Sequence, residues 1–155
     1  MLKLYKRIEA DLHYHEAWAD GSRVVEHLGK VGERGNTRRH EADPGLSEEE
    51  NIARVLSEPP AAGFPPVATP ESLMIENVVA GMGSADDLEK RHALQARMEE
   101  TLGWTDGGPC DGGSSGLGTM AARCLVVDFE IARRVVEEDH KLTRFADDAR
   151  IYKEV

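Results

Sequence analysis

Alternating hydrophobic and polar residues in the first 40 positions predict a small antiparallel sheet. Residues 2–8 and 12–18 alternate with the period of two that is typical of strands. Ala19-Asp20-Gly21-Ser22 supplies the polar, glycine-containing turn of a hairpin, and residues 22–28 form the returning strand. Residues 36–40 are compatible with one more strand. The chain is therefore predicted to begin with strands joined by short turns.

A helix and then a proline-rich segment are predicted after this sheet. Ser47 and Glu50 have the spacing of a capping box, in which each side chain satisfies a backbone N–H at the start of a helix. The apolar residues that follow share one helical face: Ile52, Val55 and Leu56. Residues 58–70 hold five of the seven prolines, which is incompatible with regular structure. We predict a linker here, between domains at 1–66 and 67–155, and the alternative is that the two domains share one core.

The hydrophobic pattern of the second part predicts the order β-α-β-α-β. The elements are a strand at 73–79, a helix at 85–102 capped by Ser84, a strand at 120–127, a helix capped by Asp128 and a strand at 149–154. The glycine-dense segment 107–118 is predicted to be a loop. With antiparallel or mixed pairing, the fold class is α+β, and the helices pack on one face of the sheet.

Composition and charge limit the partners and the location. The chain has 155 residues, 40% hydrophobic and 31% charged, and its net charge of −10 disfavours binding to nucleic acid. No apolar run reaches the roughly 18 residues needed to cross a bilayer, so no membrane partner is expected. Residues 1–7 lack the apolar segment of a signal peptide, and we expect a cytoplasmic location. Cys110 and Cys124 are too few for a disulfide framework and are expected to be reduced.

Gly29, Gly32 and Gly35 recur at a spacing of three after the third predicted strand. Because glycine tolerates positive φ, this spacing predicts a tight, backbone-defined loop in which at least one of the three has that conformation. Four cations in or just after the loop are candidate binding residues: Lys30, Arg34, Arg38 and Arg39. The alternative is that they belong to an ordinary solvated strand face.

Residues of about 10–66 resemble the WGR domain, a module named for its Trp-Gly-Arg loop and found in poly(ADP-ribose) polymerases and in bacterial proteins. The matching stretch runs from Leu28 to Gly35 and is followed by Asn36-Thr37, a helix and Gly63-Phe64. Leu28 stands where the family has tryptophan, and Lys30 stands where it has arginine. Leucine cannot stack on a base as that tryptophan can in nucleic-acid-binding members, and lysine lacks the bidentate fork of arginine. The resemblance implies a WGR-like sheet and helix without the family's nucleic-acid contact.

Candidate binding residues in the second part lie beyond its first helix. Trp104 and the predicted loop 107–118 together offer an apolar wall and backbone donors, although Trp104 can equally be a core residue. Further candidates lie in the loop: Cys110, Asp111 and Ser114. The loop follows a helix and precedes a strand, which is the reverse of a phosphate-binding loop. No positive charge stands beside Cys110 to lower the pKa of its thiol and indicate a nucleophile.

His13 and His15 are the candidate metal ligands, because residues two apart on a strand face the same way. Glu26 or His27 on the neighbouring strand could supply a third ligand, and the alternative is a strand face without a metal. We expect a non-catalytic binding module that recognises a protein or small-molecule partner and has no cofactor. A nucleic-acid-binding accessory domain and a metal-assisted or hydrolytic enzyme are the alternatives.

Overall fold

The computed structural model shows an α+β protein, which confirms the predicted class. The chain forms two compact units, Met1–Ala68 and Thr69–Val155. The structure describes residues 1–58, 61, 63–66, 69–116, 118–141, 143–146 and 149–154. Several residues of the predicted linker lie outside the described residues: Pro59, Pro60, Ala62, Val67 and Ala68. Among the described helices, none is both long and apolar enough to cross a bilayer.

The first unit is a four-stranded antiparallel sheet with one helix against it. Its elements are β1 (Leu2–Ile8), β2 (Asp11–Asp20), β3 (Arg23–Lys30), β4 (Asn36–Glu41) and α1 (Glu48–Ser57). The strands pair in chain order. The predicted capping box of Ser47 and Glu50 is present at the start of α1. The apolar face of α1 packs on small sheet residues in one buried cluster that includes Ala17, Val24, Ile52, Val55 and Leu56.

The three glycines of the predicted loop are required for two different reasons. Gly32 has a φ of +94°, which confirms the expected positive φ. Gly35 instead lies against the Tyr14 side chain, and a Cβ there would overlap the Tyr14 hydroxyl. A Cβ at Gly29 would lie 2.9 Å from the Gly35 Cα and 3.3 Å from the Tyr14 ring. Because Tyr14 is fully buried, the ring has no room to move away.

The second unit is a four-stranded antiparallel sheet with two helices. Its elements are β5 (Glu71–Val78), α2 (Ala85–Trp104), β6 (Cys110–Gly116), β7 (Thr119–Val126), α3 (Phe129–His140) and β8 (Ala149–Glu154). The strand order is β6-β7-β5-β8, and all neighbours are antiparallel. This arrangement is the split βαβ topology of ferredoxin-like folds.

Both helices of the second unit cover the same face of the sheet, as predicted. Leu73 on β5 and Cys124 on β7 contribute to the same buried cluster as Leu94 on α2 and Val136 on α3. Ser84 and Asp87 form a capping box at the start of α2, and Asp128 caps α3 by accepting a hydrogen bond from the Ile131 N–H. The helices therefore start where the capping residues predict.

The structure adds one strand to the predicted order. Cys110–Gly116 forms β6 within the segment 107–118 that was expected to be a loop. Glycine and serine have low intrinsic strand propensity, so the residues themselves do not predict a strand. Pairing with β7 overrides that propensity across the whole length of β6, with one β-bulge between Cys110 and Gly112.

We expect Gly32→Val and Gly35→Ala each to lower the free energy of unfolding by about 1 kcal/mol or more. The first substitution places a β-branched residue at positive φ, and the second drives a methyl group into Tyr14. Gly103→Ala is the matched control, because Gly103 lies within α2 with open space around the added Cβ. Alanine there should stabilise the helix by roughly 0.5–1 kcal/mol. Urea denaturation measures all three, and wild-type stability of the first two variants would contradict this account.

Candidate functional site

The outer edge of β6 presents unpaired backbone groups. β6 is the terminal strand of its sheet, and no other strand in the described part of the chain pairs with its outer side. The Leu125 N–H donates to the Pro109 carbonyl at 2.8 Å, and beyond the bulge pairing resumes with Gly112 opposite Arg123. Hydrogen-bonded and non-hydrogen-bonded pairs alternate along an antiparallel ladder. The alternation directs the N–H and C=O groups of Gly113 and Ser115 away from β7.

Two contacts fix the start of β6 to β7. Cys110 and Cys124 lie opposite each other and are joined by a disulfide bond. Asp111, next to the bulge, accepts hydrogen bonds of 3.1 and 2.9 Å from Nε and Nη2 of Arg123. This carboxylate raises the pKa of Arg123. These two contacts hold the start of β6 in place against β7.

The expectation of reduced cysteines is therefore wrong. A count of two cysteines excludes a disulfide framework, but it does not exclude a single bridge between residues 14 apart that the hairpin register places side by side. The sulfur of Cys110 is bonded and the residue is buried, so it offers no thiol to a ligand or a substrate. Because the cysteines are bonded, they do not support a cytoplasmic location, and that location stays a prediction.

Arg91 on α2 lies above the middle of β6, and sequence analysis did not identify it. A Cβ at Gly113 would be 2.5 Å from Nη1 of Arg91 and would overlap the Ala121 carbonyl oxygen. Glycine at position 113 therefore permits the close approach of this guanidinium. Arg91 is partly buried, and among the described residues it has no ion-pair partner. Its cationic group thus borders the open edge of β6.

The other residues predicted for this region lie in different surroundings. Asp111 and Ser114 are exposed residues of β6, and Asp111 is the one engaged by Arg123. Trp104 is the last residue of α2 and is 54% exposed, so the alternative of a core tryptophan is wrong. The structure therefore brings Cys110, Asp111 and Ser114 together on one strand.

The four candidate cations of the first unit do not form one basic face. Arg38 pairs with Glu26 across the strands while Arg39 pairs with Val25, and adjacent strand residues face opposite sides. Lys30 forms an ion pair of 2.8 Å with Asp11, which raises the pKa of the lysine. Arg34 is an exposed residue of the turn after β3.

The described residues around His13 and His15 do not complete a metal site. His15 is buried, and its Nδ1 lies 3.4 Å from Oε1 of Glu26. Glu26 also lies 3.0 Å from Nε2 of His40, whereas His27 is on the opposite face of the sheet. No three His, Cys, Asp or Glu side chains in the described ranges are arranged to hold a metal ion.

His140 is a buried polar residue that was not among the predicted site residues. It ends α3, its ring lies 5.8 Å from that of Phe145, and its Nε2 has no hydrogen-bond partner among the described residues. A cavity of about 310 Å³ adjoins it, and Glu137, Lys141, Ala146 and Ile151 also line that cavity. Burial lowers the pKa of His140.

Comparison with known proteins adds no relative. The chain matches no protein-family model, no curated protein and no solved structure. The residues of the site therefore carry the functional interpretation.

Reduction of the disulfide is expected to destabilise the second unit. For a closed loop of this length, the chain-entropy relation gives about 3 kcal/mol. We expect dithiothreitol to lower the urea midpoint of the wild type and to leave that of a Cys110→Ser/Cys124→Ser variant unchanged. Thiol titration of the unfolded, unreduced protein should find no free thiol. Two titratable thiols in that sample would contradict the disulfide.

Stability is expected to fall between pH 7.5 and pH 5.5. Burial lowers the pKa of both His15 and His140, so near the ordinary histidine pKa of about 6.5 the unfolded chain binds more protons than the folded one. This contribution is complete above the unfolded pKa and is lost as the pH falls through the folded pKa. Thermal melting of His140→Leu, which keeps an apolar contact with Phe145, should show a smaller decrease. An equal decrease in wild type and variant would exclude His140 as a cause.

Proposed function

We propose that this chain is a non-catalytic binding module that recognises a protein partner. The partner adds an extended segment to the outer edge of β6, so that its backbone continues the second sheet. The observation that carries the proposal is that β6 lacks the basic side chains that the other strands at the sheet edges have.

The other three edge strands carry several basic side chains. These are Lys3, Lys6 and Arg7 on β1, Arg38 and Arg39 on β4, and Arg150 and Lys153 on β8. Charged side chains on an edge strand discourage pairing with another chain. β6 contains no lysine, arginine or proline, and Arg123 already engages its one charged residue, Asp111. β6 is thus the edge that lacks this protection.

The surface of β6 also suits backbone recognition. Gly113, Ser114 and Ser115 are exposed, and their side chains are absent or short. An added strand can therefore reach the outward N–H and C=O groups of Gly113 and Ser115. In this mode of recognition, main-chain hydrogen bonds supply affinity, and alternate side chains supply specificity.

The alternatives have weaker support. The bonded sulfur of Cys110 argues against a cysteine nucleophile, and the division of the candidate cations between two faces argues against phosphate binding. No comparable feature of β6 favours a small-molecule partner. The WGR resemblance of residues 10–66 stays a prediction, and it supports a further binding role for the first unit.

Peptide selection on the full chain tests the proposal. A random dodecapeptide library is displayed on phage and selected on the wild type, and fluorescence polarisation measures the affinities of the enriched peptides. Ser115→Pro should weaken them at least tenfold, because proline removes an outward N–H without removing a hydrogen bond to β7.

Ser115→Ala is the matched control, because alanine keeps the N–H and should leave the affinity unchanged within twofold. Circular dichroism and melting must agree among the three proteins. Enriched peptides that bind Ser115→Pro as tightly as wild type, or the lack of any enriched peptide, would refute recognition at β6. Tight binding of a short DNA or RNA duplex at physiological salt would favour the nucleic-acid alternative.

A further inference from the structure

We infer that the extended partner segment carries a carboxylate that pairs with Arg91. This inference rests on the proposed function and specifies the chemistry of the partner. It arises from a cation that lies beside a strand edge and has no counter-ion in the described part of the chain.

Arg91 differs from Arg97 on the same helix and from Arg133 on α3, which both have carboxylate partners. Arg97 binds Asp139 through bonds of 2.6 and 3.0 Å, and Arg133 binds Glu137 at 2.8 Å. Arg91 is partly buried and has no carboxylate partner within the described residues. A guanidinium that loses hydration without gaining a counter-ion is unfavourable. A partner carboxylate would satisfy it, and the planar fork of arginine matches that group.

The position of the carboxylate in the partner follows from the geometry of the strand. Gly113 lies opposite Ala122, which is buried on the helix-covered face of the sheet. A partner residue paired beside Gly113 directs its side chain to the same face, where Arg91 lies. Because Gly113 has no side chain, the path to the guanidinium is open. The neighbouring partner residues face the other side, so one acidic residue at one position is expected.

A second copy of this chain is a less suitable occupant. Symmetric pairing of two β6 strands would bring both Arg91 groups to the same face, where β6 itself supplies no carboxylate, because Asp111 is bound to Arg123 on the opposite face. Two copies with a net charge of −10 each would also repel each other. A single partner carboxylate is less affected, since charges beyond about 8 Å are largely screened at physiological salt.

The test compares dodecapeptides selected on the wild type with those selected on Arg91→Gln. The wild-type pool should show Asp or Glu at one aligned position, and the variant pool should not. For a synthesised wild-type-selected peptide, replacing that residue by its amide should weaken binding to the wild type about tenfold and leave binding to Arg91→Gln unchanged. Arg91→Lys should retain part of the preference, because lysine keeps the charge and loses the fork.

The outcomes separate the two proposals. Peptides that are sensitive to Ser115→Pro but insensitive to Arg91→Gln overturn the carboxylate inference and leave recognition at β6 standing. Peptides insensitive to Ser115→Pro, or none at all, overturn both. A wild-type dimer that Ser115→Pro dissociates in sedimentation would identify a second copy as the occupant and overturn the inference. Equal melting temperatures of wild type and Arg91→Gln are required for each comparison.

Discussion

The register between β6 and β7 is the constraint on which the second unit depends. On β7, Ala122, Cys124 and Val126 face the helices and are fully buried. A slip of β7 by one residue would turn this set to the other face of the sheet, so the face that β7 presents to the helices is strongly determined. The same register places Cys110 opposite Cys124 and brings Gly113 under Arg91. β6 has no such pattern, and the disulfide together with the Asp111–Arg123 hydrogen bonds holds it in register with β7.

In the first unit, buried carboxylates set a comparable constraint. Oε2 of Glu16 forms an ion pair of 2.8 Å with Nζ of Lys3, and Oε1 of Glu16 lies 2.8 Å from Nδ1 of His27. His27 in turn contacts the Tyr14 hydroxyl, with Nε2 at 3.0 Å. A carboxylate in such surroundings costs stability unless it is paired and hydrogen-bonded. Gly29 and Gly35 leave room for the Tyr14 ring, and they therefore also allow the Tyr14 hydroxyl to reach His27 in this network.

The regular elements were predictable where local signals agree with burial. α1, α2 and α3 begin beside the expected capping residues, and β1 to β4 follow the alternation of the sequence. β6 was missed because glycine and serine have no hydrophobic period, and its pairing depends on β7. α2 also continues through Gly103 to Trp104, because one glycine near a helix end weakens a helix without stopping it.

The candidate site was less predictable than the fold. Asp111 and Ser114 were identified, but their strand was not. In the sequence, Arg91 resembles any solvated helix residue. Its candidacy depends on Gly113, which is 22 positions later and comes near only because α2 packs on β6. The opposite directions of Arg38 and Arg39 follow from strand geometry alone and could have been derived from their adjacency.

The turn between β6 and β7 has a mechanical consequence. The Gly118 N–H donates to the Gly81 carbonyl at 2.7 Å, and the Val79 N–H donates to the Gly118 carbonyl at 2.9 Å. This ties the tip of the hairpin to the segment after β5, while the disulfide ties its other end. Edge strands commonly fray by local opening, at a small fraction of the free energy of global unfolding. With both ends secured, β6 is expected to open from the sheet less readily than an edge strand with free ends.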